Sequence, residues 1–216
     1  MAKLYELHPQ NPQQRTIEKI VSDLQQGAIM LYPTDTVYAI GCDLSNKSAV
    51  QKVRQLKQLA NDKPLTFLCL SLSNIARYAG VSDRAYRIMK HLIPGPYTFL
   101  LPATKLVPKL VMSPKRKTTG IRVPDTPICQ QLLQTLDNPI ISTSAHMKNE
   151  EDDLTIKIEK AQLFDSLTNL VDIIIDDGNE LTSEVSTILD FTTDEAIVVR
   201  QGLGWQEAQE WLTFVA

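Results

Sequence analysis

The stretch Ala28-Ile29-Met30-Leu31-Tyr32, followed at once by Pro33-Thr34-Asp35-Thr36, decides the class of fold. It is apolar throughout and too short for a helix. Gly27 precedes it and a proline ends it, so it reads as a strand. Its hydrophobicity is continuous rather than alternating, which means burial on both faces under covering helices. Similar short runs recur at residues 65–70, 97–101, 120–123, 140–143, 171–175, 185–189 and 196–200.

Amphipathic helices lie between these runs. Asn11-Pro12 reads as an N-cap with proline at the first helical position, and Ile17, Ile20, Val21 and Leu24 form one apolar face ending at Gly27. A second helix is expected from about Ser45 to Leu59, carrying Ala49, Val53 and Leu56 with Ala60 just beyond. A third follows Ser82-Asp83 and is broken by Pro94-Gly95-Pro96, and a fourth opens at Thr126-Pro127. Residues 148–158 hold Glu150, Glu151, Asp152 and Asp153 and read as a solvated acidic loop leading into a surface helix with Leu163 and Leu167. Helices and strands interleave without a strict βαβ rhythm. The expectation is a single α/β domain over residues 1–216, a twisted mixed β-sheet flanked by helices rather than a doubly wound sheet.

Composition narrows the function. The chain has 216 residues, 43% hydrophobic and 22% charged, with a net charge of −3, so attraction to nucleic acid requires a local patch. No apolar run approaches the roughly 18 residues of a membrane span and the N-terminus does not read as a signal peptide, which makes cytoplasmic the expected location. Cys42, Cys69 and Cys129 are widely spaced, and Cys69 and Cys129 read as small buried hydrophobes. Phosphate-binding loops of the GxxxxGK[ST] and GxGxxG types are absent, as are HExxH and CxxC, so no built-in metal site is expected. Among His8, His91 and His146, only His146, two residues from Ser144, suggests a catalytic base, and thinly.

Charge and hydroxyl placement say more. Between Leu100 and Pro124 there is no acidic residue, yet Lys105, Lys109, Lys115, Arg116, Lys117 and Arg122 fall there, a footprint suited to phosphates of a nucleotide or of RNA. Arg122 sits inside a strand, so its guanidinium must meet a carboxylate or a ligand anion; the same is expected of Arg200 at the end of another. Hydroxyls gather at strand ends, in residues 32–36, in Ser142-Thr143-Ser144 and in Ser186-Thr187. Strand ends converging at one edge of a sheet are the expected ligand pocket.

Several blocks resemble the YrdC/YciO family. YPTDTVYAIGCD (residues 32–43) is similar to the family's YPTETVYGLGCD, and LKQLANDKPLTFL (56–68) to its KxR and DKPL stretch. PGPYTFLLPAT (94–104), TTGIRVPDTP (118–127), NPIISTSAH (138–146), VSTILDF (185–191) and VVRQG (198–202) follow in the family's order, over about residues 12–203. The resemblance implies a YrdC-like fold with a large positively charged concave cavity. It also implies L-threonylcarbamoyladenylate synthase chemistry: ATP, L-threonine and bicarbonate give threonylcarbamoyl-AMP and pyrophosphate for tRNA modification, with magnesium accompanying ATP. Partners would be tRNA or double-stranded RNA and tRNA-modifying proteins, with no membrane. Matched by position, Thr34, Thr118, Arg122 and Ser142 would hold the amino acid, and Ser186 would add a contact from the closing strand. Lys57, Ser144 and Arg200 would hold the nucleotide, Lys57 and Ser144 as the catalytic pair, while Lys115, Arg116 and Lys117 would meet RNA. Leu59 stands where the family's signature has arginine, and His146 where it has asparagine. These departures resemble the YciO branch and leave open a double-stranded RNA or tRNA binder without adenylation, and a hydrolase or carbamoyl-transferring enzyme using His146 as a base.

Overall fold

The computed structural model describes residues 1–59, 64–145, 159–193 and 195–214. The strands are β1 (Lys3–Glu6), β2 (Met30–Tyr32), β3 (Ala39–Asp43), β4 (Thr66–Leu68), β5 (Tyr97–Pro102), β6 (Thr118–Arg122), β7 (Ile140–Ser144), β8 (Ile173–Asp176), β9 (Thr187–Asp190) and β10 (Ile197–Arg200). The helices are α1 (Gln14–Gln25), α2 (Lys47–Leu56), α3 (Leu72–Tyr78), α4 (Asp83–Leu92), α5 (Pro127–Leu136), α6 (Lys160–Leu167) and α7 (Trp205–Phe214). All the strands join one mixed sheet of order β1-β8-β2-β3-β7-β4-β6-β5-β9-β10.

The eight apolar runs are all strands of this sheet. Four elements were not anticipated: β1, β3, α3 and α7. β3 is five residues with a glycine at its centre, too little local signal for a strand, yet it is buried throughout between β2 and β7. Gly41 is needed there by close approach, since a Cβ would come within 2.4 Å of the Ile141 carbonyl oxygen and 2.7 Å of the Tyr32 ring. Double burial, expected of most of these runs, does not extend to β10, an edge strand with Ile197 52% exposed.

Helix starts follow local chemistry with one correction. Asn46, Ser71, Ser82 and Thr126 each cap the helix that follows by accepting a backbone N–H. Asn11 does not cap α1, whose N-cap is Gln13 with no side-chain bond. The Asn11 N–H donates instead to His8 Nδ1, which also receives Gln10 N–H, so a turn occupies residues 8–11 and the helix starts later. Gly27, at φ +95°, ends α1 as expected. α2 stops at Leu56 rather than Leu59, with Gln58 at φ 46°. α6 begins at Lys160, whose ammonium pairs with Asp176 and Asp177. The acidic loop at 148–158 lies outside the described residues.

Two cores result. α1 and α5 pack over one face of the sheet, on Met30, Tyr32, Leu68, Ile140, Ile173 and Ile175. The opposite face carries Leu31, Ile40, Phe67, Phe99, Ile121, Ile141, Ile174 and Leu189 under the remaining helices. Among the described residues no helix is long and apolar enough to cross a membrane.

Candidate functional site

Strand register assembles the site. Gly41, Ser142, Thr66, Gly120 and Leu100 stand side by side across β3, β7, β4, β6 and β5. Residues two positions along a strand share a face. Ser144, Thr118 and Arg122 therefore share this one, as do Thr98, Ser186 and Arg200 through the β5–β9–β10 register. The expected convergence at one edge is corrected. Thr118 opens β6 and Ser144 closes β7 at one end of the sheet, while Arg122, Ser186 and Arg200 lie toward the other. What the predicted residues share is a face, because they lie an even number of residues from paired positions; β6 runs parallel to β4 and β4 antiparallel to β7, so the start of β6 and the end of β7 lie together.

Arg122 is the centre of the polar network. It is buried, and its guanidinium reaches the turn after β2: Nη2 pairs with Asp35 at 2.5 Å and Nη1 donates to Thr36 Oγ1 at 2.7 Å. Its Nε donates to the Gly95 carbonyl at 3.4 Å. Of the two partners expected for a strand-interior arginine, the structure supplies the carboxylate. Asp35 and Thr36 were missed as site residues, although Asp35 is the acid of the hydroxyl-rich turn and a buried guanidinium requires one.

The same turn explains Thr34. Its hydroxyl donates to Val37 O at 2.9 Å and accepts from Thr36 N–H at 3.1 Å, with Thr36 Oγ1 also at 3.1 Å. Thr34 therefore holds the turn that carries Asp35 and Thr36 onto the face. Tyr32 lies beneath; burial pushes its pKa well up, and its hydroxyl beside Ser142 has no well-formed hydrogen bond. Thr66, also missed, lies in register between Ser142 and Gly120, where a Cβ on residue 120 would come 2.7 Å from its hydroxyl.

Arg200 differs from the expectation of a guanidinium leaving a buried strand: β10 is exposed, and its arginine turns back over the face. Nε donates to Ser186 O at 2.9 Å and Nη2 to Ser186 Oγ at 3.0 Å, while Ser186 Oγ lies 2.9 Å from Thr98 Oγ1. Partial burial and, secondly, the nearby positive charge of Arg122 lower the Arg200 pKa. Among the described residues it has no carboxylate partner. Two guanidiniums thus share this face, and of the two only Arg122 has a carboxylate partner among the described residues; Asp190, which the β5–β9 register sets on the same face opposite Leu100, accepts the Thr192 N–H instead.

Lys57 closes α2 as its C-cap. Arg54, one turn earlier, donates to Leu110 O, and Leu65 N–H donates to Val111 O. These bonds place the end of α2 beside the start of β4, toward Thr118 and Ser144. Leu59 packs half-buried against the core. Lys115, Arg116 and Lys117 are exposed on the turn before β6, where Lys117 N–H bonds Ser113 O and Lys117 adopts φ 52°. This turn leads into Thr118, so the basic residues border the site instead of entering it. His146 lies outside the described residues; His91 stacks on Trp211. Among the described residues no three His, Cys, Asp or Glu side chains gather as a metal site.

The cysteines play no part at the surface. Cys42, Cys69 and Cys129 are buried, and burial pushes each thiol up to about 12. At pH 8 all are protonated and shielded. Folded protein is expected to release no chromophore from an aromatic disulfide reagent, and all 3 thiols should titrate after denaturation.

An open mixed sheet flanked by helices, with guanidiniums and hydroxyls on one face, defines a single-domain mixed α/β protein. The Sua5/YciO/YrdC family, whose model carries the description telomere recombination, matches residues 22–202, and the chain belongs to this family. It is 39% identical over 204 residues to YciO of Escherichia coli strain K12, covering 94% of this chain and 97% of the relative. The crystal structure of E. coli YciO superimposes with a TM-score of 0.85 at 38% identity over 94% and 97% of the two chains. A putative threonylcarbamoyl-AMP synthase of Methanocaldococcus jannaschii is 32% identical over 93% of this chain and 92% of its own. P. abyssi Sua5 complexed with L-threonine shares the fold, with a TM-score of 0.85 at 22% identity, over 97% of this chain and 61% of that one.

Proposed function

We propose that this protein is a nucleotide-dependent enzyme of the threonylcarbamoyl-AMP synthase type. The observation that carries the reading is the Arg122–Arg200 pair on one face, with Arg200 free of any carboxylate among the described residues. L-Threonine and bicarbonate form a carbamate with loss of water. A carbamate oxygen attacks the α-phosphorus of ATP, and the bond to the β-phosphate oxygen breaks to release pyrophosphate. The nucleophile comes from the substrates, so the protein contributes placement and cations, and no protein thiol or hydroxyl has to be activated. In this reading Arg122, Thr118 and Ser142 face the amino acid, with Thr34 shaping the turn and Ser186 closing the far side. Lys57, Ser144 and Arg200 face the phosphates of ATP, which arrives with magnesium. The product would feed tRNA modification.

The test mixes purified protein with ATP, magnesium, threonine and bicarbonate and follows pyrophosphate and the adenylate. Product that requires both threonine and bicarbonate supports the reading; ATP turnover indifferent to both sinks it.

A second reading, a double-stranded RNA or tRNA binder without adenylation, is favoured by two observations: Leu59 packs into the core instead of offering a cation, and Lys115, Arg116 and Lys117 are exposed at the border of the face. Leu59→Arg separates the two. A charge-assisted contact to a phosphate is worth about 10- to 100-fold. A gain of that size in pyrophosphate release indicates a scaffold that has given up catalysis. An unchanged rate in an active protein shows that the position is dispensable.

A further inference from the structure

Under the two guanidiniums lies a pair of hydroxyls, one of which no reading above uses. Thr98 in β5 and Ser186 before β9 are each 6% exposed, and their oxygens are 2.9 Å apart. Thr98 precedes Phe99, which pairs with Ile121, so extending the β5–β6 register by one residue sets Thr98 opposite Arg122. Arg200 arrives from an edge strand whose pairing with β9 is irregular between Val198 and Arg200. Both hydrogen bonds that direct its guanidinium end on Ser186, one on the backbone oxygen and one on the hydroxyl.

Proton counting leaves the pair with one donor over. Two hydroxyls carry two protons, and their mutual bond uses one. Ser186 Oγ accepts from Arg200, which leaves it free to donate to Thr98 Oγ1. Whichever hydroxyl donates, one O–H proton has no acceptor among the described residues. A spare donor beside two guanidiniums matches an anionic oxygen, and a phosphate offers several.

We propose that Thr98 is a positioning residue: it fixes the Ser186 hydroxyl, and through it the Arg200 guanidinium, in the geometry that receives one phosphate group of the nucleotide. This rests on the reading of the face as a nucleotide site. Thr98→Val keeps the buried shape and removes the hydroxyl, whereas Thr98→Ser keeps the hydroxyl.

The experiment titrates magnesium ATP and, separately, L-threonine into wild-type protein, Thr98→Val, Thr98→Ser and Arg200→Ala. Thr98→Val is expected to bind ATP about tenfold more weakly, with threonine affinity unchanged and with Thr98→Ser near wild type. Equal ATP affinity in Thr98→Val and wild type overturns the proposal. So does a loss shared equally by both ligands, or a failure of Thr98→Ser to restore binding, since either marks a packing role. If Arg200→Ala binds ATP as wild type does, the nucleotide reading of the face falls, and the assignment of Thr98 falls with it.

Discussion

Arg122→Ala is expected to destabilise the fold by about 3–5 kcal/mol, the cost of breaking a buried ion pair from one side. The guanidinium and the Asp35 carboxylate are 8% and 11% exposed, so removing the cation strands an anion that water can barely reach. Thr36 loses its donor in the same step, and Asp35 Oδ2 already lacks a hydrogen-bond partner among the described residues. Urea unfolding measures the loss. The double variant Arg122→Ala with Asp35→Asn should recover part of it, because the stranded charge disappears with the second change. A single variant as stable as wild type would mean that Asp35 is hydrated in solution and that the pair does not hold the turn. Ligand binding should be lost in the single variant, since the turn that carries Thr34 and Thr36 is anchored to this guanidinium.

Arg200→Ala should show the opposite balance. Its side chain is exposed, and water can replace its bonds to Ser186, so stability should change by no more than about 0.5 kcal/mol. The expected loss is in affinity for ATP, about 10- to 100-fold, the worth of a charge-assisted contact to phosphate. Paired measurements of urea midpoint and ATP affinity on the two variants separate the roles. Arg122 would build the face and Arg200 would serve the ligand. An Arg200→Ala protein with wild-type affinity and a lowered midpoint would reverse that assignment and make Arg200 a clamp for the β10 edge.

The basic segment illustrates how one stretch of sequence divides in space. Between Leu100 and Pro124 six cations line up along the chain, yet only Arg122 enters the interior. Lys115, Arg116 and Lys117 occupy a turn whose backbone is closed by Ser113 and Thr118, and this leaves their side chains in solvent. Linear charge density treats the six cations alike; the pleat of β6 decided which one turns inward to pair with Asp35.

By itself, the sequence determined what local physics dictates. Apart from the exposed edge strand β10, the apolar runs were strands because double burial requires continuous hydrophobicity, and Asn46, Ser82 and Thr126 began helices because their side chains satisfy the first free N–H groups. It also determined that Arg122, inside a strand, needed an anion. The tertiary structure decided the rest. β3 carries too few residues and one glycine, so only its neighbours β2 and β7 make it a strand. α1 starts at Gln14 because residues 8–11 are taken up by a loop in which His8 Nδ1 accepts the Gln10 and Asn11 N–H groups. The partners Asp35 for Arg122 and Ser186 for Arg200 lie 87 and 14 residues away along the chain. Their meeting depends on which way β6 and β10 run and on pleat parity, since a one-residue slip would turn each side chain to the opposite face. Residue types supplied the chemistry of the site, but register supplied its geometry, because strand pairing is a long-range property that no local window of sequence contains.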